Sequence, residues 1–317
     1  MNRKKKNTNK KRTNAQIFRR VFLISLVVFT ILGMGFVYVY RLLDKMNPVD
    51  IAEDDEALGI TEDTFENKKV VNIALFGVDR RSSSGVGRSD SIMIATIDRE
   101  HKKIKLTSLL RDLYVDIPGR GMDKLGHAYA YGGPELAIRT INHNFNMNIR
   151  EFATVDFDSF EKIVDILGGI EIDIKPEEVR YVPGSKAGTQ VLNGKQALAY
   201  SRIRKVGTDY QRTERQRTVM EHIINKGLRA GITKYPSLLN AVLPHVDTSI
   251  SKTEAFTLGT STLTSGIKNV DQYRIPVKGY VKSQMINGRS YEVPDTLEDN
   301  IKFLHKFIYE DEKELGE

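Results

Sequence analysis

The run VFLISLVVFTILGMGFVYVY, Val21 to Tyr40, is twenty residues long and carries no charge. At about 1.5 Å per residue, a helix of that length spans about 30 Å, the hydrocarbon thickness of a bilayer. A helix buried in a globular core rarely stays apolar all round for so long. A cleavable secretion signal would have a shorter apolar core and a small-residue cleavage site after it, whereas this run continues into RLLDK. The sequence therefore predicts an uncleaved transmembrane signal-anchor helix at residues 21–40.

The flanking charges set its direction. Residues 1–20 carry nine Lys or Arg and no acid, and residues 41–68 are rich in Asp and Glu. Cations accumulate on the cytoplasmic side of a span, so 1–20 reads as a cytoplasmic tail and 41–68 as an acidic extracellular stalk. The net charge of the chain is +7, of which Arg41, Asp44, Lys45 and the tail account for +10, leaving −3 for the remainder. A nucleic-acid binder would be basic throughout, so no nucleic-acid partner is expected. The chain has no Cys, which excludes disulfides and thiolate metal sites.

From Lys69 the pattern becomes that of a folded domain, expected to run over 69–317. VVNIALFG, SIMIATID, KIKLTSLL, EFATVDF and GIEIDI have strand length and composition. Helix-like stretches alternate with them at 134–145, 158–167, 211–230 and 295–308. The predicted fold is α/β: a single extracellular domain with a mixed central sheet and helices on both faces, preceded by the one transmembrane helix.

Functional groups in open α/β sheets gather at strand ends. The first strand runs into GVDRRSSSGVGRSD, so Asp79, Arg80 and Arg81 leave it and Arg88 and Asp90 enter the next, while Arg111 and Asp112 follow KIKLTSLL. On spacing alone, Asp79 and Asp90 either cap turns and pair with arginines or share a hard cation such as magnesium, which takes oxygen ligands. Arg111 with Asp112 is, by itself, an ordinary ion pair.

YSRIRKVGTDYQRTERQR, Tyr200 to Arg217, sets six cations against Asp209 and Glu214. Arg202 and Arg204 share a side if the segment is extended. In the helix that follows, Arg212, Gln216, Val219, Met220, Ile223 and Gly227 form one stripe, with Glu214, Arg217, Glu221 and Asn225 on the opposite face, where exposure is expected. Arg212 and Gln216 thus fall on the buried face. Burying a guanidinium costs several kcal/mol without an anionic partner, and guanidinium forks suit phosphate oxygens. The predicted ligand is a pyrophosphate. No H-E-x-x-H pattern or Walker loop is present, which counts against a zinc hydrolase or a nucleotide substrate.

GVDRR with RSDSIMIATID, TSLLRDLYVDIPG, KLGHAYAYGGPEL, VDFDSFEKIVDILGGIEIDI and LNGKQALAYSRIRKVGTDYQRTERQR resemble, in order and spacing from about Val71 to Met220, the blocks of the LytR-CpsA-Psr family of cell-envelope transferases. The resemblance implies a phosphotransferase of Gram-positive cells. It would move an anionic glycopolymer, of wall teichoic acid or capsule type, from a polyprenyl-pyrophosphate carrier to peptidoglycan. Its alternatives are a non-catalytic lipid-pyrophosphate-binding envelope-stress regulator and a lipid pyrophosphatase.

Carried over by position, the resemblance makes Asp79 and Asp90 ligands of Mg2+, with Mn2+ a possible substitute. It makes Arg88, Arg111, Arg202, Arg204, Arg212 and Gln216 the pyrophosphate grip, with Arg81 a weaker candidate. Asp79 and Arg111 carry the catalytic roles; Asp79 or Asp112 could take the proton, or water or metal-bound oxygens could suffice. Gly126 stands where members of the family often have a polar residue such as Asn, a departure that touches local loop structure. Phe152, Val155, Phe157, Phe160, Ile163 and Ile166 could wall a lipid channel or be plain core, and are not placed in the site.

Overall fold

The computed structural model describes residues 14–79, 87–231 and 233–313. The first thirteen residues of the basic tail, and Arg80 and Arg81, lie outside them. The chain forms two compact units, Met1–Asp44 and Lys45–Glu317.

The first unit is helix α1 (Asn14–Leu43). Its large apolar side chains stand exposed, Phe18 and Phe29 each by 73% and Ile24 by 64%. Among the described residues no helix is long and apolar enough to cross a membrane; the side chains of Val27, Val28, Ile31 and Leu32, inside the apolar run, lie outside that set.

In the second unit, β1 (Asn47–Pro48), β2 (Val70–Asp79), β3 (Arg88–Asp98) and β4 (Lys103–Leu109) precede a hairpin of β5 (Tyr114–Ile117) and β6 (Gly121–Lys124) and helix α2 (Leu125–Phe145). Then come β7 (Glu151–Asp156), α3 (Phe157–Ile166), a hairpin of β8 (Ile170–Ile174) and β9 (Gly188–Leu192), α4 (Gly194–Ser201), α5 (Asp209–Leu228) and α6 (Tyr235–Val242). The chain closes with β10 (Asp247–Thr248), α7 (Lys252–Thr264), β11 (Asn269–Ile275), a hairpin of β12 (Val281–Ile286) and β13 (Arg289–Pro294), and α8 (Leu297–His305).

Seven strands form one sheet in the order β1-β10-β7-β2-β3-β4-β11. It is mixed: β2 runs parallel to β7 and antiparallel to β3, and β4 runs antiparallel to β3 and parallel to β11. Period-two alternation divides its faces. Ala74, Phe76 and Val78 of β2 enter a core with Ile138 and Ile141 of α2 and Leu304 of α8. Leu75 and Gly77 point the other way, toward a cavity that α3, α4, α5 and α6 help to line. A second core, with Val164, Ile172, Ala197 and Val219, ties α3, β8, α4 and α5 together. Helices therefore cover both faces, as the alternation of elements predicted.

One expectation is refined and one corrected. GIEIDI, read as a strand, is one, but among the described residues it pairs with β9 in a separate two-stranded sheet and does not join the central one. Residues 45–68, expected as a stalk, are part of the domain. Leu58 is fully buried in the main core, and the Ala52 amide donates to Glu135. Two of the acids read as stalk charge share a partner within the domain, since Arg150 bonds Asp55 at 3.0 Å and Glu66 at 2.9 Å.

Candidate functional site

Asp79 ends β2 directly opposite Arg88, which begins β3. The Arg88 side chain lies outside the described residues. Between the pairs Gly77↔Ser91 and Val78↔Ser89 the register slips, so that β3 carries one extra residue, Asp90. A bulge of this kind breaks the alternation and re-aims side chains. Asp90 and Ser91, neighbours in sequence, consequently both line the same cavity.

Arg111 leaves the end of β4 and joins the strand ends. Its Nη1 donates to Asp90 Oδ1 at 2.5 Å, and its Nε to Asp112 Oδ2 at 3.3 Å. Lys124 Nζ then bonds Asp112 Oδ1 at 2.7 Å. Burial works to raise the Asp112 pKa, but the Lys124 bond and the charges of Arg111 and Lys124 outweigh it and hold the carboxyl below its ordinary value. Asp112 is thus locked as a counter-ion, and the sequence reading of it as a base is set aside. Gly126 sits in the first turn of α2, not in a loop. A β-carbon there would lie 3.0 Å from Arg111 Cβ and 3.3 Å from the Ser89 carbonyl oxygen, so glycine lets α2 close onto Arg111.

The cations of the Tyr200–Arg217 stretch arrive from the other side. An Asn193–Gln196 capping box starts α4 and a Thr208–Gln211 box starts α5, which fixes both helix starts. Arg202 follows α4 with its guanidinium 4.5 Å from the Phe157 ring centroid, and Arg204 Nη2 stands 3.9 Å from Asp90 Oδ2. Arg212, only 3% exposed, has Nη1 2.8 Å from Asp209 Oδ1, yet that buried nitrogen makes no hydrogen bond. Burial first, and then the Arg111 charge, lower the Arg212 pKa against the pull of Asp209. Arg111 is answered by Asp90 and Asp112, whereas Arg204 and Arg212, which border the same cavity, have only the 3.9 Å approach of Asp90 and the contact with Asp209.

Arg212, Gln216, Val219, Met220 and Ile223 line the cavity together, as the helix stripe predicted; Gly227 does not reach it. The opposite face of α5 is not solvated as expected. Arg217 is buried, donating to Ser108 Oγ on β4 and at 3.3 Å to Gln272 on β11. Burial lowers its pKa to about 10. Arg215, also buried, donates to Glu178 at 2.7 Å. The sequence reading puts Arg217 on the exposed face and gives Asp209 and Arg215 no role in the site, because one apolar stripe does not reveal that a helix is gripped on its other sides too.

The cavity measures about 260 Å³. Val155, Phe157, Phe160 and Ile163 line it, joined by residues of α4, α5 and α6, whereas Phe152 packs into the main core and Ile166 is not among the lining residues. Asp90, Arg202, Arg204, Arg212 and Gln216 also border it. An apolar chamber bordered by arginines suits an amphiphile with an anionic head. Asp90 holds Arg111 through Oδ1 and stands 3.9 Å from Arg204 Nη2 through Oδ2, while Asp79 ends the neighbouring strand.

The fold and site define an α/β domain that presents an arginine cluster beside an apolar chamber. Residues 36–303 match the LytR_cpsA_psr family model, and the chain belongs to the LytR-CpsA-Psr family. Over 243 residues it is 35% identical to the polyisoprenyl-teichoic acid--peptidoglycan teichoic acid transferase TagU of Enterococcus faecalis, covering 74% of this chain and 80% of that protein. Over 251 residues it is 32% identical to the regulatory protein MsrR of Staphylococcus aureus, covering 78% of this chain and 76% of that one. Among solved structures, TagT bound to LI-WTA superposes with a TM-score of 0.67 at 26% identity, covering 82% of this chain and 99% of TagT. Bacillus subtilis TagV superposes with a TM-score of 0.64 at 29% identity, covering 77% of this chain and 98% of TagV.

Proposed function

We propose that the protein is a membrane-anchored phosphotransferase that moves an anionic glycopolymer from a polyprenyl-pyrophosphate carrier to peptidoglycan, forming a phosphodiester. The observation that carries this reading is the buried Arg212 Nη1, without a hydrogen bond, at the border of an apolar cavity. The polyprenyl chain occupies the cavity, and the pyrophosphate meets Arg111, Arg202, Arg204, Arg212 and Gln216, with Arg88 at the same strand end. The names of TagU and of TagT bound to LI-WTA support the same donor chemistry.

A peptidoglycan hydroxyl attacks the sugar-bearing phosphorus. The new P–O bond forms as the bond to the bridging oxygen breaks, and polyprenyl phosphate leaves with the electron pair. The arginines stabilise charge on the equatorial and bridging oxygens, the main task of a protein in phosphoryl transfer. Asp79 or a water takes the hydroxyl proton, and Asp112 stays paired with Arg111 and Lys124. Asp79 and Asp90 would hold Mg2+, or Mn2+ in its place, which neutralises phosphate charge when bound.

The exposed apolar side chains of α1 support an anchor at residues 21–40, with the N-terminus cytoplasmic and the domain outside the cell. Protease added to intact protoplasts is expected to digest residues beyond Lys45 and leave a membrane-held N-terminal fragment; a protected domain would overturn this topology. The activity is tested with full-length protein in detergent, a short lipid-pyrophosphate-linked saccharide, an acceptor glycan and Mg2+. Polyprenyl phosphate and a glycan-linked product are expected. Release of free sugar phosphate would identify a pyrophosphatase. Binding without turnover would favour the regulator that the name of MsrR suggests.

A further inference from the structure

Beyond Arg111 and Asp112 lies a group of side chains that this transfer does not use. Asp123, on β6, accepts hydrogen bonds from His127 Nδ1 at 2.9 Å, the Tyr131 hydroxyl at 2.7 Å and the Tyr291 hydroxyl at 3.3 Å. Burial opposes its charge, but the His127 and Tyr131 bonds and the Lys124 amide bring its pKa down to about 2. One carboxylate thereby clamps β6, the start of α2 and β13 together. Lys124 links this clamp to the anion site, since its Nζ bonds Asp112 at 2.7 Å and lies 5.3 Å from the Tyr291 ring centroid.

The clamp holds out an unusual surface. Tyr131 is 43% exposed and Met122 52% exposed, and the Arg120 guanidinium lies 5.4 Å from the Tyr131 ring centroid. Arg289 follows the two-residue turn of the β12–β13 hairpin, where Asn287 and Gly288 take the positive φ values of 50° and 75° that such a turn requires. Two positions before Tyr291 on β13, it shares a strand face with the tyrosine whose hydroxyl bonds Asp123, the carboxylate that also holds Tyr131. Arg120 and Arg289 are exposed, and neither has an ion-pair partner among the described residues. The one carboxylate of the group is already taken by its three side-chain donors. None of these residues lines the apolar cavity.

A tyrosine ring fixed through its own hydroxyl offers a rigid π face, against which the C–H face of a pyranose can stack. Two unpaired guanidiniums beside it suit carboxylates. A carboxylate-bearing glycan strand satisfies both. We infer that this shelf of Arg120, Met122, His127, Tyr131 and Arg289 docks the acceptor, an N-acetylated glycan strand that carries carboxylates. The inference rests on the transfer reading above, and the direction of attack selects the acceptor over the donor. In an in-line displacement the incoming oxygen enters opposite the leaving group. The leaving polyprenyl phosphate extends into the cavity, and the shelf is reached across Arg111, Asp112 and Lys124, on residues that have no part in that cavity.

The test uses full-length protein in detergent and three probes: a soluble disaccharide-peptide fragment of peptidoglycan, a neutral N-acetylglucosamine oligomer, and a polyprenyl pyrophosphate with and without its glycopolymer. Wild type is expected to bind the carboxylate-bearing fragment at least about tenfold more tightly than the neutral oligomer. Tyr131→Ala, and separately the double variant Arg120→Gln/Arg289→Gln, should weaken that binding by about tenfold or more and raise the acceptor KM, with affinity for bare polyprenyl pyrophosphate within about twofold of wild type. Tyr131→Phe, which keeps the ring, should stay within about threefold.

Fragment affinity unchanged in Tyr131→Ala and in the arginine double variant would overturn the inference, as would no binding of the fragment by wild type. Selective loss of affinity for the glycopolymer-bearing donor would overturn it too, and would assign the shelf to the donor's sugars. If Tyr131→Ala does not fold, the double variant, at two exposed positions, decides alone. Tyr131-dependent glycan binding by a wild type that binds no polyprenyl pyrophosphate would leave the shelf standing and sink the transfer reading.

Discussion

Arg212 and Arg217 sit five positions apart on one helix, both buried, and their environments predict opposite behaviour. Arg212 lacks a hydrogen bond at Nη1 and is crowded by Arg111 and Arg204, so the ligand-free protein gains little from its charge. Arg212→Ala should leave thermal stability unchanged or higher, while affinity for a polyprenyl pyrophosphate falls by about 2 to 5 kcal/mol, the range for a desolvated charge contact. Arg217 bonds Ser108 and Gln272. Arg217→Ala leaves those groups unpaired in the interior and should cost about 1 to 3 kcal/mol of stability, with ligand affinity unchanged. Calorimetry and a lipid-binding titration on both variants check the pair; unfolding by Arg212→Ala with normal binding by the folded remainder would make Arg212 a structural residue. The inward direction of Arg212 and Gln216 was legible because the apolar residues that follow keep its period. The burial of Arg217 was not, since its partners arrive from β4 and β11, 109 and 55 positions away.

Strands carry the cavity floor, and their alternation makes it possible to fill that floor without disturbing the main core. Ala153 and Val155 of β7 face the cavity, while Phe152 packs into the opposite core. Ala153→Trp places an indole in the lipid chamber. Affinity for a polyprenyl pyrophosphate should fall by about tenfold or more, with inorganic pyrophosphate held within about twofold; equal losses for both ligands would mean that the chain does not lie in this cavity. Apolar runs revealed β2, β3, β4 and β7, because each buries both faces or one. Of the hairpin strands only β8 was read, and the β5–β6 and β12–β13 hairpins were missed. They are short, half exposed, and held by distant pairings such as the Leu113–Glu292 bridge and the Glu292 amide bonded to the Asp112 carbonyl, which no local pattern encodes. The bulge at Asp90 was also invisible, since it exists only in the register of two strands. Its effect is functional: without the extra residue, Asp90 and Ser91 could not both border the chamber.

At the scale of the whole domain, the sheet separates a reactive end from a load-holding end. Asp98, at the far end of β3, is eight residues from Asp90, about 26 Å at about 3.3 Å per residue. There a fully buried Lys105 bonds Asp98 Oδ2 at 2.7 Å, Asp311 Oδ1 at 3.2 Å and the Ile308 carbonyl at 2.9 Å, which ties the last turn of the described chain to β4. Asp98, His101 and Asp311 have the spacing of a metal site, but the Lys105 ammonium already occupies the cation position between the two carboxylates. Removing it should leave Asp98 buried with only His101 and two backbone amides to answer its charge: Lys105→Met is expected to lose about 1.5 to 3 kcal/mol of stability, without changing ligand affinity at the other end. The pH dependence follows from the same contacts. Burial favours protonation of Asp98 and Asp311, yet their hydrogen bonds and the neighbouring lysines keep both below the ordinary carboxylate value. A carboxylate with a depressed folded-state pKa contributes stability that is present above its unfolded pKa and lost as pH falls through the folded one. The wild-type urea midpoint should therefore hold down to about pH 4 and fall below it. In Lys105→Met, where burial of Asp98 is no longer opposed by the ammonium, the folded-state pKa of Asp98 moves back up toward its unfolded value, so the loss of midpoint below about pH 4 should become smaller. A variant whose midpoint follows the wild-type pH profile would show that Lys105 is not what keeps these carboxylates charged.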